Sequence, residues 1–196
     1  MEPPHAIDTS RPTVVAEAVK KVFGSVWGDA SFPLLDRMFE DVADMFEGRY
    51  QGYQAIDMEY HDLEHTLQAT VCLTHLLKGR SLTSDQPVLG MRNWELAVIS
   101  ALLHDTGFLK EVGDDSGTGA KYTFIHERRS CDFARKHMTQ LGLEPTEIED
   151  ICSAIVCTGP RSKISEVNFR CEEVRQMAFM LVTADYLAQI SAADYL

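Results

Sequence analysis

Three stretches of the chain set imidazoles and carboxylates among apolar residues. Tyr60-His61-Asp62-Leu63-Glu64-His65 carries two histidines four positions apart. On a helix both rings would leave one face about a turn apart, and that face continues through Ala69, Cys72 and Leu76. Leu102-Leu103-His104-Asp105-Thr106-Gly107 ends a segment that is apolar nearly all round. Ala178-Phe179-Met180-Leu181-Val182-Thr183-Ala184-Asp185-Tyr186-Leu187 sets one acid deep in a greasy helix. An unpaired buried carboxylate costs several kcal/mol even after relaxation. No lysine or arginine stands near Asp105 on its helix, or three or four residues from Asp185. Each acid must therefore meet another segment or an ion. His65, His104, Asp105 and Asp185 together form a mixed nitrogen and oxygen set that suits Mn, Fe, Zn, Co or Ni, and Ca less well. Four protein ligands leave room for water, as a catalytic site requires. His126, in Ile125-His126-Glu127-Arg128-Arg129-Ser130, shares a face with Ser130, Phe133 and Leu141 and is a fifth candidate, for a second metal or a substrate phosphate.

Helices must hold these residues, and the sequence predicts little else. Val15, Val19 and Val22 repeat at helical spacing between Thr13 and Phe23, and Leu34 to Phe46 repeats it after Pro33. A polar, aromatic stretch, Arg49 to Tyr60, precedes a third helix ending near Lys78. A fourth starts near Asn93 as N-cap, and further helices are expected over 125–141, 145–157 and 172–190, with Pro145 as a first helical residue. Glu111 to Lys121, rich in Gly and Asp, is expected to be a mobile loop. The expected fold is all-α: a flexible arm over 1–12 and one helical domain over 13–196, its last helix ending in mid-pattern as if truncated. His75 is expected to be structural, His5 a tail residue and His137 a helix-surface residue. Arg128 and Arg129 should point outward toward Asp132. Met38, Met45, Met177 and Met180 read as core filler. Gly117-Thr118-Gly119-Ala120-Lys121 lacks the spacing of a phosphate-binding loop.

Composition bounds the function. The 196 residues suffice for one well-buried domain, and 45% hydrophobic with 24% charged residues is the balance of an ordinary globular protein. A formal charge of −12 argues against coating a nucleic-acid polymer, which needs cations against phosphates. No apolar run reaches the roughly 18 residues of a membrane span, and the start lacks the features of a signal peptide. Five scattered cysteines without C-x-x-C spacing suggest reduced thiols in the cytoplasm.

The ordered set His65, His104-Asp105 and Asp185 resembles the H…HD…D signature of the HD superfamily of metal-dependent phosphohydrolases. Tyr60-His61-x-x-x-His65 is similar to the Y-H-N-x-x-H motif of cyclic-nucleotide phosphodiesterases. His126-Glu127-x-x-Ser130 and Thr183-Ala184-Asp185-Tyr186-Leu187-Ala188-Gln189 resemble elements of small bacterial members. The likeness covers Tyr60 to Leu196, about two-thirds of the chain. It departs at Asp62, where the phosphodiesterase motif has Asn, and at Phe108, where the cyclic-di-nucleotide branch has Lys. No GYP triplet is present, so neither that branch nor mammalian-type specificity is implied.

The resemblance implies a phosphodiesterase-like helical bundle that hydrolyses a small phosphorylated molecule, with a nucleotide as the leading class. It implies one or two divalent ions (Mn, Fe, Co, Ni, Zn or Mg). His65, His104, Asp105 and Asp185 would be ligands, Asp105 would bridge to a second ion held partly by His126, and His61 would be the general acid. Lys110, Lys121, Arg161 and Lys163 are the candidate phosphate-binding cations, and 111–121 a candidate lid. A homodimer is compatible with this reading. Alternatives are an HD-fold di-iron oxygenase and a non-catalytic metal-binding module.

Overall fold

The computed structural model describes residues 7–28, 31–83 and 89–191. Among them are seven α-helices: α1 (Pro12–Trp27), α2 (Pro33–Phe46), α3 (Leu63–Thr83), α4 (Met91–Leu103), α5 (His126–Gln140), α6 (Pro145–Ile155) and α7 (Glu172–Ser191). The only β-type pairing among the described residues is one isolated bridge between Tyr53 and Glu111. The all-α reading holds.

Local chemistry sets several of the ends. Proline opens α1, α2 and α6, where its fixed φ fits the first turn and its missing N–H costs nothing. Glu144 and Glu147 add a reciprocal capping box to α6. Two expected starts move. α4 begins at Met91 on Gly90, which puts Asn93 inside the first turn. α3 begins at Leu63, because the Asp62 carboxylate accepts the His65 N–H at 2.9 Å and caps the helix. His61 therefore precedes α3 and does not share a helical face with His65.

The core is built round α4. Every residue from Trp94 to Leu103 is buried, and α2, α3, α6 and α7 pack against this helix. Trp94 stands edge-on to Phe23 at 5.2 Å and to Trp27 at 5.9 Å, which fastens α1 to it. Burying side chains such as Leu102 contributes about 1.5–3 kcal/mol each. On α3 the inward face is Leu67, Leu73 and Leu77, interleaved with Thr66, Thr70 and Thr74. Each of these hydroxyls donates to the carbonyl four residues back. Cys72 and Leu76, expected on that face, are half-buried. Met38, Met45 and Met177 lie in the core, as expected of filler.

Part of the expected N-terminal arm lies against the body. Ile7 packs on the core, and Thr9 Oγ1 lies 3.3 Å from Glu64 Oε1. His5 and the expected mid-pattern end at 192–196 fall outside the described residues.

The turn after α4 lies hard against the start of α5. A Cβ added at Gly107 would stand 1.9 Å from the His126 carbonyl oxygen. Gly107→Ala is therefore expected to push α5 off the turn and cost about 3 kcal/mol, roughly 6–12 °C in Tm for a chain of this size. Thermal melting followed by circular dichroism checks this; a Tm within about 2 °C of the parent would show that the two segments do not meet.

Candidate metal centre

Four helices and one loop deliver their polar residues to one point. His65 comes from the first turn of α3, His104 and Asp105 from the end of α4, His126 from the start of α5 and Asp185 from the middle of α7. His65 Nε2 lies 3.0 Å from Asp185 Oδ1 and 3.6 Å from Asp105 Oδ2. His104 Nε2 lies 3.3 Å from Asp105 Oδ2 and 3.5 Å from Asp185 Oδ1. The other oxygen of Asp105, Oδ1, faces His126 Nε2 at 3.7 Å. His65, His104, Asp105 and His126 are buried, and the Asp185 side chain is 19% exposed. Ligand atoms of His65, His104 and Asp185 fall within 4.8 Å of one another, close enough to hold one ion.

Backbone carbonyls fix how the rings face. His104 Nδ1 is 2.7 Å from the Ala101 carbonyl, and His126 Nδ1 is 2.9 Å from that of Thr123. A carbonyl can only accept, so each Nδ1 carries the hydrogen and each neutral ring turns its Nε2 lone pair toward the carboxylates. Two lone-pair bearers cannot face each other at 3.3–3.7 Å without a cation between them, which is either a proton or a metal ion. His104 Nε2 and Asp105 Oδ2 have no hydrogen-bond partner among the described residues. Burial works against charge on His104, yet Asp105 and Asp185 beside it push its pKa up to about 10. Burial likewise opposes ionisation of Asp185, but the His104 and His65 rings beside it hold its pKa below the usual carboxylate range.

Three other buried acids find arginine, while buried Glu127 has, among the described residues, only His126 Nδ1 at 3.8 Å beside it. Asp41 pairs with Arg37 at 2.7 Å, Asp150 with Arg170, and Glu95 with Arg92 at 2.5 Å. Among the described residues, neither Asp105 nor Asp185 pairs with a lysine or arginine. Both meet imidazoles alone, and an imidazole set with carboxylates is the donor chemistry of a divalent transition metal.

The turn that aims His104 and Asp105 is tied on every side. Thr106 Oγ1 donates to the Leu103 carbonyl, and Ser130 Oγ donates to that of His104 while accepting the Gly107 N–H at 2.8 Å. These bonds occupy carbonyls that a helix end leaves without partners. Arg129 was expected to point outward. It turns inward instead, donating to the Gly107 and Leu109 carbonyls at 2.7 and 2.8 Å, with its guanidinium 3.6 Å from the centre of the Tyr122 ring. The reason is the same: carbonyls past the end of α4 need donors, and Arg129 is within reach.

His61 arrives from the loop. Its ring centre is 4.8 Å from Phe108, 5.6 Å from His65 and 6.4 Å from His126. Burial lowers its pKa; Asp105 pulls the other way, and His65, His104 and His126 add to the lowering. Phe108 stacks on His126 at 4.3 Å and 14° and so walls the site.

The candidate phosphate-binding cations fare unequally. Lys110 is buried, 2.7 Å from Asp57 Oδ2 and 2.9 Å from the Gly117 carbonyl it donates to. Lys121 is bound to Asp114 at 2.5 Å, and Lys163 to Glu166 at 2.9 Å. Arg161 has no carboxylate partner among the described residues and lies over Phe124. The expected lid is strapped down: Asp57 Oδ1 accepts the Gly119 N–H at 2.7 Å, and Asp114 accepts from Tyr122 at 2.6 Å. Nothing local in the sequence marks Asp57, an acid whose partners lie more than fifty residues on.

His137 is a second departure. It is buried, with Nε2 2.9 Å from Asp41 Oδ2 and Nδ1 2.9 Å from the Tyr50 hydroxyl. The signal was present, since His126, Ser130, Ala134 and His137 follow one helical face. His75, expected to be structural, is half-buried on α3 away from the cluster. Comparison of the chain with family models, with curated proteins and with solved structures finds no match. The functional reading rests on these residues and their geometry.

The strap gives a test with a definite sign. Burial raises the Asp57 pKa, but Lys110 and the Gly119 N–H outweigh it and hold the group below its ordinary value. Its hold on the loop is therefore present above the unfolded-state pKa and is lost as pH falls through the lower, folded value. Amide hydrogen exchange over 111–121, corrected for intrinsic rates, is expected to quicken in that acidic window. Asp57→Asn, tested at neutral pH, should quicken it there too. Unchanged protection in Asp57→Asn would refute the strap.

Proposed function

We propose that this chain is a metal-dependent phosphohydrolase of the HD type, acting on a phosphate ester of a small molecule. The observation that supports it most is the convergence of His65, His104 and Asp185 within 4.8 Å, with Asp105 alongside and no lysine or arginine paired to either acid among the described residues. His65, His104, Asp105 and Asp185 would hold one divalent ion, with Mn, Fe, Co, Ni, Zn and Mg the candidates. When bound, such an ion supplies a water nucleophile at neutral pH and a Lewis acid for the phosphoryl oxygens.

The chain's own groups do the rest. Ala101 and Thr123 carbonyls keep His104 and His126 in the tautomer that presents Nε2. Phe108 and the buried helix ends exclude bulk water, which strengthens every charge interaction inside. His61 flanks the cluster and protonates the leaving oxygen.

A second reading has its own observation. Asp105 splits its oxygens between the His65/His104 pair and His126, a bridging arrangement that also suits a di-iron oxygenase. Iron content with substrate-dependent O₂ consumption favours that reading, and turnover of phosphate esters without O₂ favours the first. Metal-dependent melting with neither activity favours a sensor or partner-binding module.

Elemental analysis of purified protein and a screen of generic phosphate esters with Mn, Co, Ni, Mg and Fe form the primary test. The double variant His104→Ala/Asp105→Ala is expected to lose bound metal and hydrolysis together, and a folded double variant with stoichiometric metal would refute the site. His61→Ala is expected to keep its metal and lose about 10²–10⁴ in kcat on alkyl phosphates. Its loss on p-nitrophenyl phosphate should be smaller, because nitrophenolate departs without a proton. An equal loss on both substrates would remove His61 from the acid role.

A further inference from the structure

Two of the five cysteines lie face to face where α5 packs on α6. Cys131 Sγ is 3.5 Å from the Cys152 carbonyl oxygen, and Cys152 Sγ is 3.7 Å from the Cys131 carbonyl oxygen. Each sulfur reaches across to the other residue's own backbone, and the two thiols hydrogen-bond to each other. Side chains that cross in this reciprocal way point at one another, which is the mutual orientation a disulfide requires. Both residues are 2% exposed, and the candidate centre uses neither.

A buried thiol among apolar groups is ordinarily inert, because burial disfavours the thiolate. Cys157 follows that rule: burial pushes its pKa up to about 11. Cys152 does not. A hydrogen bond from the Cys131 thiol outweighs burial, Arg135 adds its positive charge, and the Cys152 pKa falls below its ordinary value. Cys131 moves the other way, because the thiol that donates that bond keeps its proton, and burial adds to the rise. The two roles of a dithiol are thus divided, with Cys152 the nucleophile and Cys131 the proton-bearing partner.

A surface ion pair stands one turn from the thiols. Arg135 lies four residues after Cys131 on α5, and Glu149 three residues before Cys152 on α6. They meet at 2.8 Å, with side chains 46% and 59% exposed. An exposed ion pair holds weakly in water. A reagent little larger than water, such as hydrogen peroxide, therefore has a short way in.

We propose that Cys131 and Cys152 are a peroxide-sensitive dithiol that closes a disulfide between α5 and α6. The Cys152 thiolate attacks one peroxide oxygen, the O–O bond breaks, and the hydroxide that leaves takes up the proton Cys152 released. The Cys131 sulfur then attacks the sulfur of the Cys152 sulfenic acid. The S–O bond breaks, and the hydroxyl departs as water with the Cys131 proton. Two thiols lose two electrons and two protons, and one hydrogen peroxide becomes two waters. The new bond joins residues 21 positions apart and so restricts the unfolded chain as well. Cys131 directly follows Ser130, whose hydroxyl holds the turn after α4. The disulfide is a latch on the helix that carries His126, and it stands whether or not the centre binds a metal.

Folded parent protein treated with a small excess of hydrogen peroxide, alkylated and digested, is expected to yield a peptide pair linked from Cys131 to Cys152. Dithiothreitol should undo the link. Tm should rise by at least about 4 °C on oxidation, and Cys131→Ala given the same treatment should show no rise. Cys131→Ala should also leave a Cys152 sulfenic acid that dimedone traps, whereas in Cys152→Ala residue Cys131 should stay a thiol at the same dose. Peptide maps in which the two residues remain thiols, or are oxidised without linking, would overturn the dithiol. Linkage no more selective than in urea-unfolded protein would do the same. A link that leaves Tm unchanged or lowers it would overturn the latch, and dimedone on Cys131 in Cys152→Ala would reverse the assigned roles. The parent map needs no variant, so the dithiol is tested even where a cavity at either cysteine impairs folding.

Discussion

Two aspartates in an apolar interior with only imidazoles beside them form the constraint to which the rest of this structure answers. A buried carboxylate is tolerable when a cation stands against it. At Asp41, Asp150 and Glu95 the chain meets that need with arginine. At Asp105 and Asp185 it uses His65, His104 and, for one oxygen, His126. Imidazole differs from guanidinium in that it can give up its proton and keep its lone pair. A site built from it can exchange a proton for a metal ion at neutral pH; a site built from arginine cannot. The charge balance of the interior thus depends on what occupies the centre, and α3, α4, α5 and α7 are held together across it.

Holding four helices on one point demands a stiff junction, and the turn after α4 provides it. A helix ends with carbonyls that lack partners, and here those carbonyls become attachment points. Thr106 and Ser130 take those of Leu103 and His104, and Arg129 takes the carbonyls of Gly107 and Leu109 in the turn beyond. Ser130 and Arg129 belong to α5, so the same bonds that finish α4 dock the helix that carries His126. Gly107 makes the approach possible by having no Cβ to meet the His126 carbonyl. The aim of His104 and Asp105 and the position of His126 are in this way one structural fact.

Most of this was legible in the sequence wherever the signal was local. Periodic apolar residues marked the helices to within a few positions, and the oddity of an acid in a greasy run marked Asp105 and Asp185. What escaped depended on competition between partners distant in sequence. His61 was read onto the helical face of His65, but the Asp62 carboxylate caps α3 and ends the helix before it. Arg129 was assigned to solvent because Asp132 lies one turn on, yet unpartnered carbonyls of another segment outbid an exposed carboxylate. Spacing offers Lys110 and Lys121 to phosphate, but Asp57 and Asp114 stand beside them. A loop cation's commitment is a long-range property, and spacing does not reveal it.

The histidines supply an internal control for reading such a cluster. His137 is as buried as His126; the Tyr50 hydroxyl meets its Nδ1, and its Nε2 lies 2.9 Å from the carboxylate of Asp41, which Arg37 already neutralises. His137 fastens α5 to α2 and the loop after it. His104 and His126 spend Nδ1 on a carbonyl and turn Nε2 to carboxylates that no arginine or lysine of the described residues neutralises. The same side chain, equally hidden, is structural in one place and ligand-like in the other. The difference lies in whether the acid it faces has another cation, and that criterion can be applied to any buried histidine before a metal is sought.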